Sequence, residues 1–382
     1  MEIKNLAKTK NRILKAIKNN ERIILYGDAD LDGTASVVIL EWAIQEIKGK
    51  VSQVFFVDRE KQGYGINKTA LRYLKKYAPA LFIAMDLGIT NFEEIEIAKK
   101  LGFEVIIIDH HIPLGKVPKA DIVVDPKQKN DNYKFKDLCA SGIVYRLARI
   151  LLKDKLTADL DNSFLELTAL ATIADMMPKE QENKDYIEKG IRSLDNTENL
   201  GLRILLDMNF LRGLEQQEKI HKITSILNVS GIKNNLTGAY VFLNLKSEKQ
   251  AKAIADRLVK EKQQRYFFIK SVTQEIENRI SNNNEKSVIF ESNVGWPNTI
   301  IGTVASKICA KYQKPVFIVN KMPSKSIGTV RMPKNMDAVK AMSACADLLV
   351  TFGGHAPAAG FTVQNKNLAK FEKCLTEYFE SC

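Results

Sequence analysis

Short apolar runs alternate with amphipathic stretches through the first half of the chain. Arg22-Ile-Ile-Leu-Tyr26, Val51 to Val57, Leu81 to Met85 and Glu104 to Ile108 are brief, rich in β-branched residues and closed by Asp or Gly. That pattern predicts buried strands. Between them, Thr34 to Ile47, Lys68 to Lys76 and Phe92 to Leu101 carry apolar residues at helical spacing. The order β-α-β-α-β-α-β predicts an α/β fold with a doubly wound, mostly parallel sheet. A further strand at Asp121 to Val124 precedes helices near Ser141 to Leu152 and Ser163 to Ile173.

From Leu245 to Ile280 the chain has no Gly or Pro and holds nine Lys/Arg against five Asp/Glu. This reads as one helix about 50 Å long at 1.5 Å per residue, a length that more often joins domains than sits inside one. The turn-rich Ser281-Asn-Asn-Asn-Glu-Lys286 then opens a second α/β pattern. Its strands are expected near Val288, Val316 to Val319 and Ile327 to Arg331, with helices near Thr299 to Lys311 and Ala338 to Leu349. Three segments result: residues 1–244, a connecting helix 245–280, and a smaller α/β domain 281–382.

At 382 residues with 45% hydrophobic content, the chain has the length of two globular domains. It has no run of about 18 apolar residues and no apolar leader after its first Met, so a cytoplasmic protein with no membrane contact is expected. A net charge of +12 favours a polyanionic partner such as nucleic acid. Lys-rich composition is also ordinary in AT-rich genomes. The five cysteines, at 139, 309, 345, 374 and 382, match no zinc or disulfide spacing and are expected to be reduced thiols.

Three turns rich in ligand atoms stand at expected strand ends: Gly27-Asp28-Ala29-Asp30-Leu31-Asp32-Gly33, Asp86-Leu-Gly88 and Asp109-His110-His111. In an open parallel sheet the carboxyl ends of the strands share one edge, so these turns are expected to converge. So many carboxylates repel one another unless cations occupy the site. Oxygen ligands mixed with imidazole suit manganese or magnesium better than zinc. Two such ions would bridge a phosphate, acidify a water and neutralise a leaving oxygen, which is phosphoester hydrolysis. The plainer readings are a calcium or capping loop for the three-Asp turn and surface residues for the paired histidines. Asp175, ending the apolar stretch Ala171-Thr-Ile-Ala-Asp175, is a fourth candidate; its plainer role is a hydrogen bond at a helix end.

Taken together these motifs resemble the DHH phosphoesterase superfamily, named for the tripeptide at Asp109-His110-His111. Within it the chain looks most like the RecJ nucleases. Tyr26 to Gly33, Gly63-Tyr-Gly65-Ile-Asn67, Met85-Asp86-Leu-Gly-Ile-Thr90 and Thr172-Ile-Ala-Asp175 fall in that family's order. The resemblance makes residues 1–244 a DHH catalytic domain with Asp30, Asp32, Asp86, His110 and Asp175 as metal ligands. Asp28 would be a further ligand, with Asp109 and His111 as ligands or supports, and His111 also in the catalytic set. It implies two manganese ions, with magnesium possible, and an active site in the cleft between domains. The second domain resembles the DHH-associated domain through Ile301 to Lys307, Gly328-Thr-Val-Arg331 and Gly353-Gly354-His355-Ala-Pro-Ala-Ala-Gly360. By that resemblance Ser306, Lys307, Arg331, Gly353, Gly354 and His355 hold substrate. A Gly-Gly pair lets backbone approach a phosphate, although it also suits a plain turn.

The implied function is a monomeric exonuclease that degrades single-stranded nucleic acid, DNA rather than RNA, from its 5′ end in DNA repair and recombination. Two departures qualify it. In His221 to Ile232, Ile226 and Ile232 stand where two arginines are usual, which weakens the expected grip on the strand. The pattern also reaches Cys382 without the oligonucleotide-binding fold of many full-length bacterial relatives, so a processive hold on long DNA is not expected. A nuclease for very short RNAs or a small-nucleotide phosphodiesterase is the second reading, and an inactive nucleic-acid-binding scaffold the third. Arg265-Tyr266-Phe267-Phe268 has two readings: stacking bases, or packing the long helix against a domain, which is the favoured expectation.

Overall fold

The structure, a computed structural model, describes residues 2–113, 115–229, 231–281 and 287–381, apart from the side chains of Lys61, Ser281 and His355. The chain divides into two compact units, Met1–Lys262 and Gln263–Cys382. In the first, the strands are β1 (Ile23–Gly27), β2 (Gln53–Phe56), β3 (Ala80–Met85), β4 (Phe103–Ile108) and β5 (Ile122–Val124). They form one parallel sheet in the order β2-β1-β3-β4-β5. The predicted α/β parallel sheet is therefore present.

The apolar runs read as continuous because both faces of this sheet are covered. Alternate residues nevertheless go to different cores, as the two-residue strand period requires. Ile23, Leu25, Leu81, Ile83, Met85, Ile106 and Ile108 belong to the larger core. Ile24, Tyr26, Phe82, Ala84, Val105 and Ile107 belong to the smaller one.

The helices of this unit include α1 (Leu6–Lys18), α2 (Leu31–Glu46), α3 (Arg59–Gln62), α4 (Lys68–Leu74), α5 (Phe92–Lys100), α6 (Ala140–Leu152) and α7 (Ala158–Ala174). Next come α8 (Gln181–Ser193), α9 (Leu200–Leu206), α10 (Gln216–Leu227), a hairpin of β6 (Ile232–Lys233) and β7 (Leu236–Thr237), and α11 (Gly238–Leu243). Helix α2 is apolar all round and buried between its neighbours, packing on α6 and α7. Ile226, one of the two isoleucines noted above, is 1% exposed in the larger core, a setting that favours an apolar side chain over a charged one.

Helix α12 runs from Glu248 to Ser281 without a break. The second unit then holds β8 (Ile289–Val294), α13 (Asn298–Tyr312), β9 (Val316–Lys321), β10 (Lys325–Arg331), α14 (Ala338–Ala344), β11 (Leu349–His355), β12 (Ala358–Gln364) and α15 (Leu368–Glu380). Its sheet is mixed, ordered β11-β12-β10-β9-β8, with only β8 and β9 parallel. The turn expected at Ser281 to Lys286 lies outside the described residues except at its first position. Helix α14 is shorter than expected, and Leu349 already starts a strand.

Two expectations are corrected here. Cys345 and Cys374 form a disulfide between the end of α14 and α15, with Cα atoms 6.2 Å apart. That distance lies in the range a disulfide needs, and a separation of 29 residues leaves no local signature in the sequence. Cys139 and Cys309 are free and buried. The aromatic triplet does not pack the long helix against a domain either: Tyr266, Phe267 and Phe268 are 56%, 66% and 41% exposed. No helix among the described residues is long and apolar enough to cross a membrane.

Candidate metal centre

Strand register brings the ligand-bearing turns together. Gly27 pairs with Met85, Met85 with Ile108, and Ile108 with Val124. The next residue on each strand is an aspartate, giving a row of Asp28, Asp86, Asp109 and Asp125. Backbone bonds extend the ladder through the first three: Asp28 N donates to Met85 O, Asp86 N to Ile108 O at 3.0 Å, and Asp109 N to Val124 O at 3.0 Å. The row crosses β1 and β3, where connections leave in opposite directions, the crevice at which open α/β sheets take ligands.

The first turn then enters α2. Asp30 caps that helix, its Oδ1 accepting from Gly33 N at 3.0 Å, and Leu31 N donates to Asn228 Oδ1 at 2.8 Å. Asp32 accepts from Ala140 N at 2.7 Å and Ser141 N at 2.9 Å at the start of α6. Capping is thus part of what these carboxylates do. Asp86 sits in the left-handed region at φ 63, which a β-branched residue tolerates poorly.

His110 is the hub. Its Nε2 lies 3.3 Å from Asp86 Oδ1, 3.6 Å from Asp175 Oδ2 and 3.9 Å from Asp32 Oδ2. Among the described residues neither ring nitrogen has a hydrogen-bond partner, and Asp175 Oδ2 is likewise buried and unpartnered, so the helix-end bond expected for Asp175 is not what holds that oxygen. Among the described residues three groupings bring ligand atoms within 4.8 Å of one another: Asp86 with His110 and His111, Asp32 with His110 and Asp175, and Asp28 with Asp30 and Asp86.

The electrostatics match a cation site. Burial, then the like charges of Asp30 and Asp32, hold Asp86 well above the usual carboxylate range. Burial and the same two neighbours push Asp175 up to about 8. Burial also lowers His110, leaving a neutral imidazole whose lone pair suits a metal. Orphaned buried oxygen and nitrogen atoms, crowded carboxylates and neutral imidazole together fit divalent manganese or magnesium.

Asp109 and His111 behave differently. Asp109 Oδ1 accepts from His111 Nδ1 at 2.8 Å and from the backbone of His110, while Oδ2 accepts from Ile89 N. Burial works against both charges, yet the pairing wins, holding Asp109 at about 2 and raising His111 to about 9. His111 Nε2 lies 3.4 Å from the Tyr64 hydroxyl.

Sequence reasoning missed two residues of this edge. Arg59, at the start of α3, grips Asp28 with two nitrogens, Nε reaching Oδ1 at 2.7 Å, and its Nη2 reaches Asp30 Oδ2 at 2.9 Å. Asp125, the fourth of the row, is fully buried with Oδ2 unpartnered, and burial raises it to about 7. A carboxyl raised in the folded state stabilises fully below its unfolded pKa near 4, and that contribution is lost as pH rises through about 7. Asp125→Asn removes the ionisation. Melting in EDTA is therefore expected to show the variant equal to the parent at pH 4 and more stable at pH 8, by on the order of a few kcal/mol. Equal stability at both values would refute the assignment.

The second unit gathers part of its expected set. Arg331 Nε donates to Ser306 Oγ at 3.1 Å and Nη1 to Thr329 Oγ1 at 2.8 Å. Lys307 is exposed one position along α13. Gly353 and Gly354 are not in a plain turn: they lie in β11, paired with Gly360 and Ala359 of β12. A Cβ on Gly354 would meet Ala359 at 2.5 Å, while one on Gly353 meets nothing within 4 Å among the described residues. The backbone of His355 shares a cross-strand row with Ala358 and Arg331; its side chain lies outside what is described.

Residues 22–172 match the DHH family, N-terminal domain, and residues 284–381 match the DHHA1 domain. The chain is 30% identical over 381 residues to the single-stranded-DNA-specific exonuclease RecJ of Bacillus subtilis (strain 168), a match that covers 98% of this chain and 48% of that protein. Exonuclease RecJ bound to manganese is a structural neighbour with TM-score 0.84 at 25% identity, covering 100% of this chain and 95% of that one. RecJ in complex with Mn2+ from Thermus thermophilus has TM-score 0.85 at 23% identity, a likeness of fold, covering 100% of this chain and 55% of that one. The chain spans about half the length of the curated relatives it matches.

Proposed function

The chain belongs to the DHH family, and on that premise we propose that it is a metal-dependent exonuclease hydrolysing single-stranded DNA from its 5′ end. The observation that carries the reading is the His110 imidazole, buried, without a hydrogen-bond partner, and facing carboxylates from three separate segments. Asp30, Asp32, Asp86, His110 and Asp175 hold two manganese or magnesium ions in this reading. When bound, such ions supply positive charge to a phosphate and acidify a water.

The remaining steps belong to the chain's own side chains. Asp109 fixes the His111 ring and keeps it protonated at neutral pH, so that Nε2 presents a proton beside Tyr64. That proton is the one offered to the leaving oxygen. Arg59 balances the charge of Asp28, both of whose oxygens it engages, which leaves Asp28 a weaker ligand than its neighbours. DNA is favoured as substrate because the curated relatives are named single-stranded-DNA-specific.

In the second unit Arg331, Ser306, Lys307 and the β11 edge from Gly353 to His355 hold a substrate phosphate. Arg331→Ala is expected to raise KM for a DNA strand about tenfold or more, the cost of a charge-assisted contact, without changing manganese affinity measured by calorimetry. A loss of manganese binding would place Arg331 in support of the metal site instead.

The reading is tested by incubating the purified protein with manganese and 5′- or 3′-labelled strands of DNA and RNA, from dinucleotides upward. Stepwise loss of long DNA from the 5′ end is expected. Products from very short oligomers alone would reject it in favour of a short-oligonucleotide enzyme, and no products at all would point to a scaffold.

A further inference from the structure

Helix α12 has one buried stripe, and the aromatic triplet lies off it. Ile269, Val272, Ile276 and Ile280 face the apolar core of the second unit. At 3.6 residues per turn Phe267 points about 160° away from Ile269. Tyr266 and Phe267 are 56% and 66% exposed, with ring centroids 5.8 Å apart at an interplanar angle of 70°. Two adjacent aromatic rings facing water are an uncommon choice on a helix, since neither contributes burial and both are only moderate helix formers.

What surrounds them is cationic. Lys262 and Lys270 sit four residues before and after Tyr266, hence on the same helix face. Neither is in an ion pair among the described residues. From Lys262 to Gln274 the sequence contains no carboxylate at all, while Glu261 and Glu275 on either side approach Arg257 and Arg279. A second copy of the chain docked symmetrically here would set these lysines against themselves. A strand with flat bases and a phosphate after each one meets both halves of the surface.

We infer that Tyr266 and Phe267 form a base-stacking platform for single-stranded nucleic acid, with Lys262 and Lys270 taking the flanking phosphates. The inference rests on the proposed reading that the chain acts on such strands, and it adds a contact surface separate from the metal-ligand and Arg331 residues. Stacking tolerates any base, so the platform gives grip without sequence preference. It also supplies some of the hold that Ile226 and Ile232 do not.

The test is anisotropy of fluorescent dT20 in EDTA, beside a strand of the same length made only of abasic sugar-phosphate. Tyr266→Ala/Phe267→Ala is expected to weaken dT20 binding about tenfold to a hundredfold and abasic binding hardly at all. Phe267→Trp restores the affinity and its fluorescence is quenched by dT20. Lys262→Ala/Lys270→Ala flattens the salt dependence by about 1.4 in log-log slope. Manganese-dependent cleavage of a dinucleotide stays at the parental rate in the aromatic variant. Unchanged dT20 affinity in that variant, an equal loss on the abasic strand, or a parental dimer that the variant dissolves would each overturn the platform while leaving the nuclease reading intact. A parent that neither binds nor cuts any strand would instead remove the nuclease reading, and the platform with it.

Discussion

Asp86→Asn is expected to lower strand cleavage by about a thousandfold or more, the scale on which removal of a preorganised charge acts in a closed site. Asp86 takes part in two of the three ligand groupings, is 2% exposed, and stands nearest to His110 Nε2. Asparagine keeps its size and tolerates φ 63, so the backbone should persist and the loss be chemical. Calorimetry with manganese separates the possibilities, because the variant should lose at least one bound ion while its melting temperature holds or rises. A rise is reasonable because the carboxyl is held above its usual range by burial and neighbouring charge. Cleavage at the parental rate would show that the metal site lies elsewhere.

Gly33→Ala should be the second large effect, and it acts through backbone rather than charge. A Cβ at this position would lie 2.5 Å from the Asp28 carbonyl oxygen and 2.8 Å from its nitrogen, neither of which rotates away. The turn has to open, and with it goes the bond from Gly33 N to Asp30 Oδ1. We expect a loss of stability of about 2–4 kcal/mol, as for other forced close contacts, together with weakened manganese binding. Thermal unfolding with and without manganese reads both. A variant with parental stability and affinity would mean that the turn is softer than its contacts indicate.

Much of the first unit was legible because parallel strands covered on both faces leave continuous apolar runs, as at Leu81 to Met85 and Glu104 to Ile108. The same topology made the site legible, since each turn after such a run lies on one edge. Arg59 was not, because an arginine opening a four-residue helix has no spacing signal and its role comes from a fold-back after β2 that only coordinates reveal. Asp125 directly follows the expected strand ending at Val124, but a single Asp before Pro126 reads as an ordinary turn residue, unlike the Asp-rich and His-bearing turns beside it. Strands β11 and β12 are built from Gly, Ala and Thr around few large apolar side chains, so alternation was faint and the Gly pair looked like a turn. The aromatic triplet misled in the opposite sense: large apolar residues are usually core, and only the placement of Ile269 and Val272 shows that the inward face was already taken.

The row from Asp28 to Asp125 follows hydrogen-bonded neighbours, so its spacing is the interstrand repeat of roughly 4.8 Å rather than anything the loops decide. Side-chain rotation fine-tunes where the oxygens end up, but their starting points are ruled off by the stiffest part of the molecule. Segments joining the strands are then free to lengthen, shorten or change sequence beyond their first turn without moving the backbone points from which Asp86 and the ligand-bearing turns beside it set out.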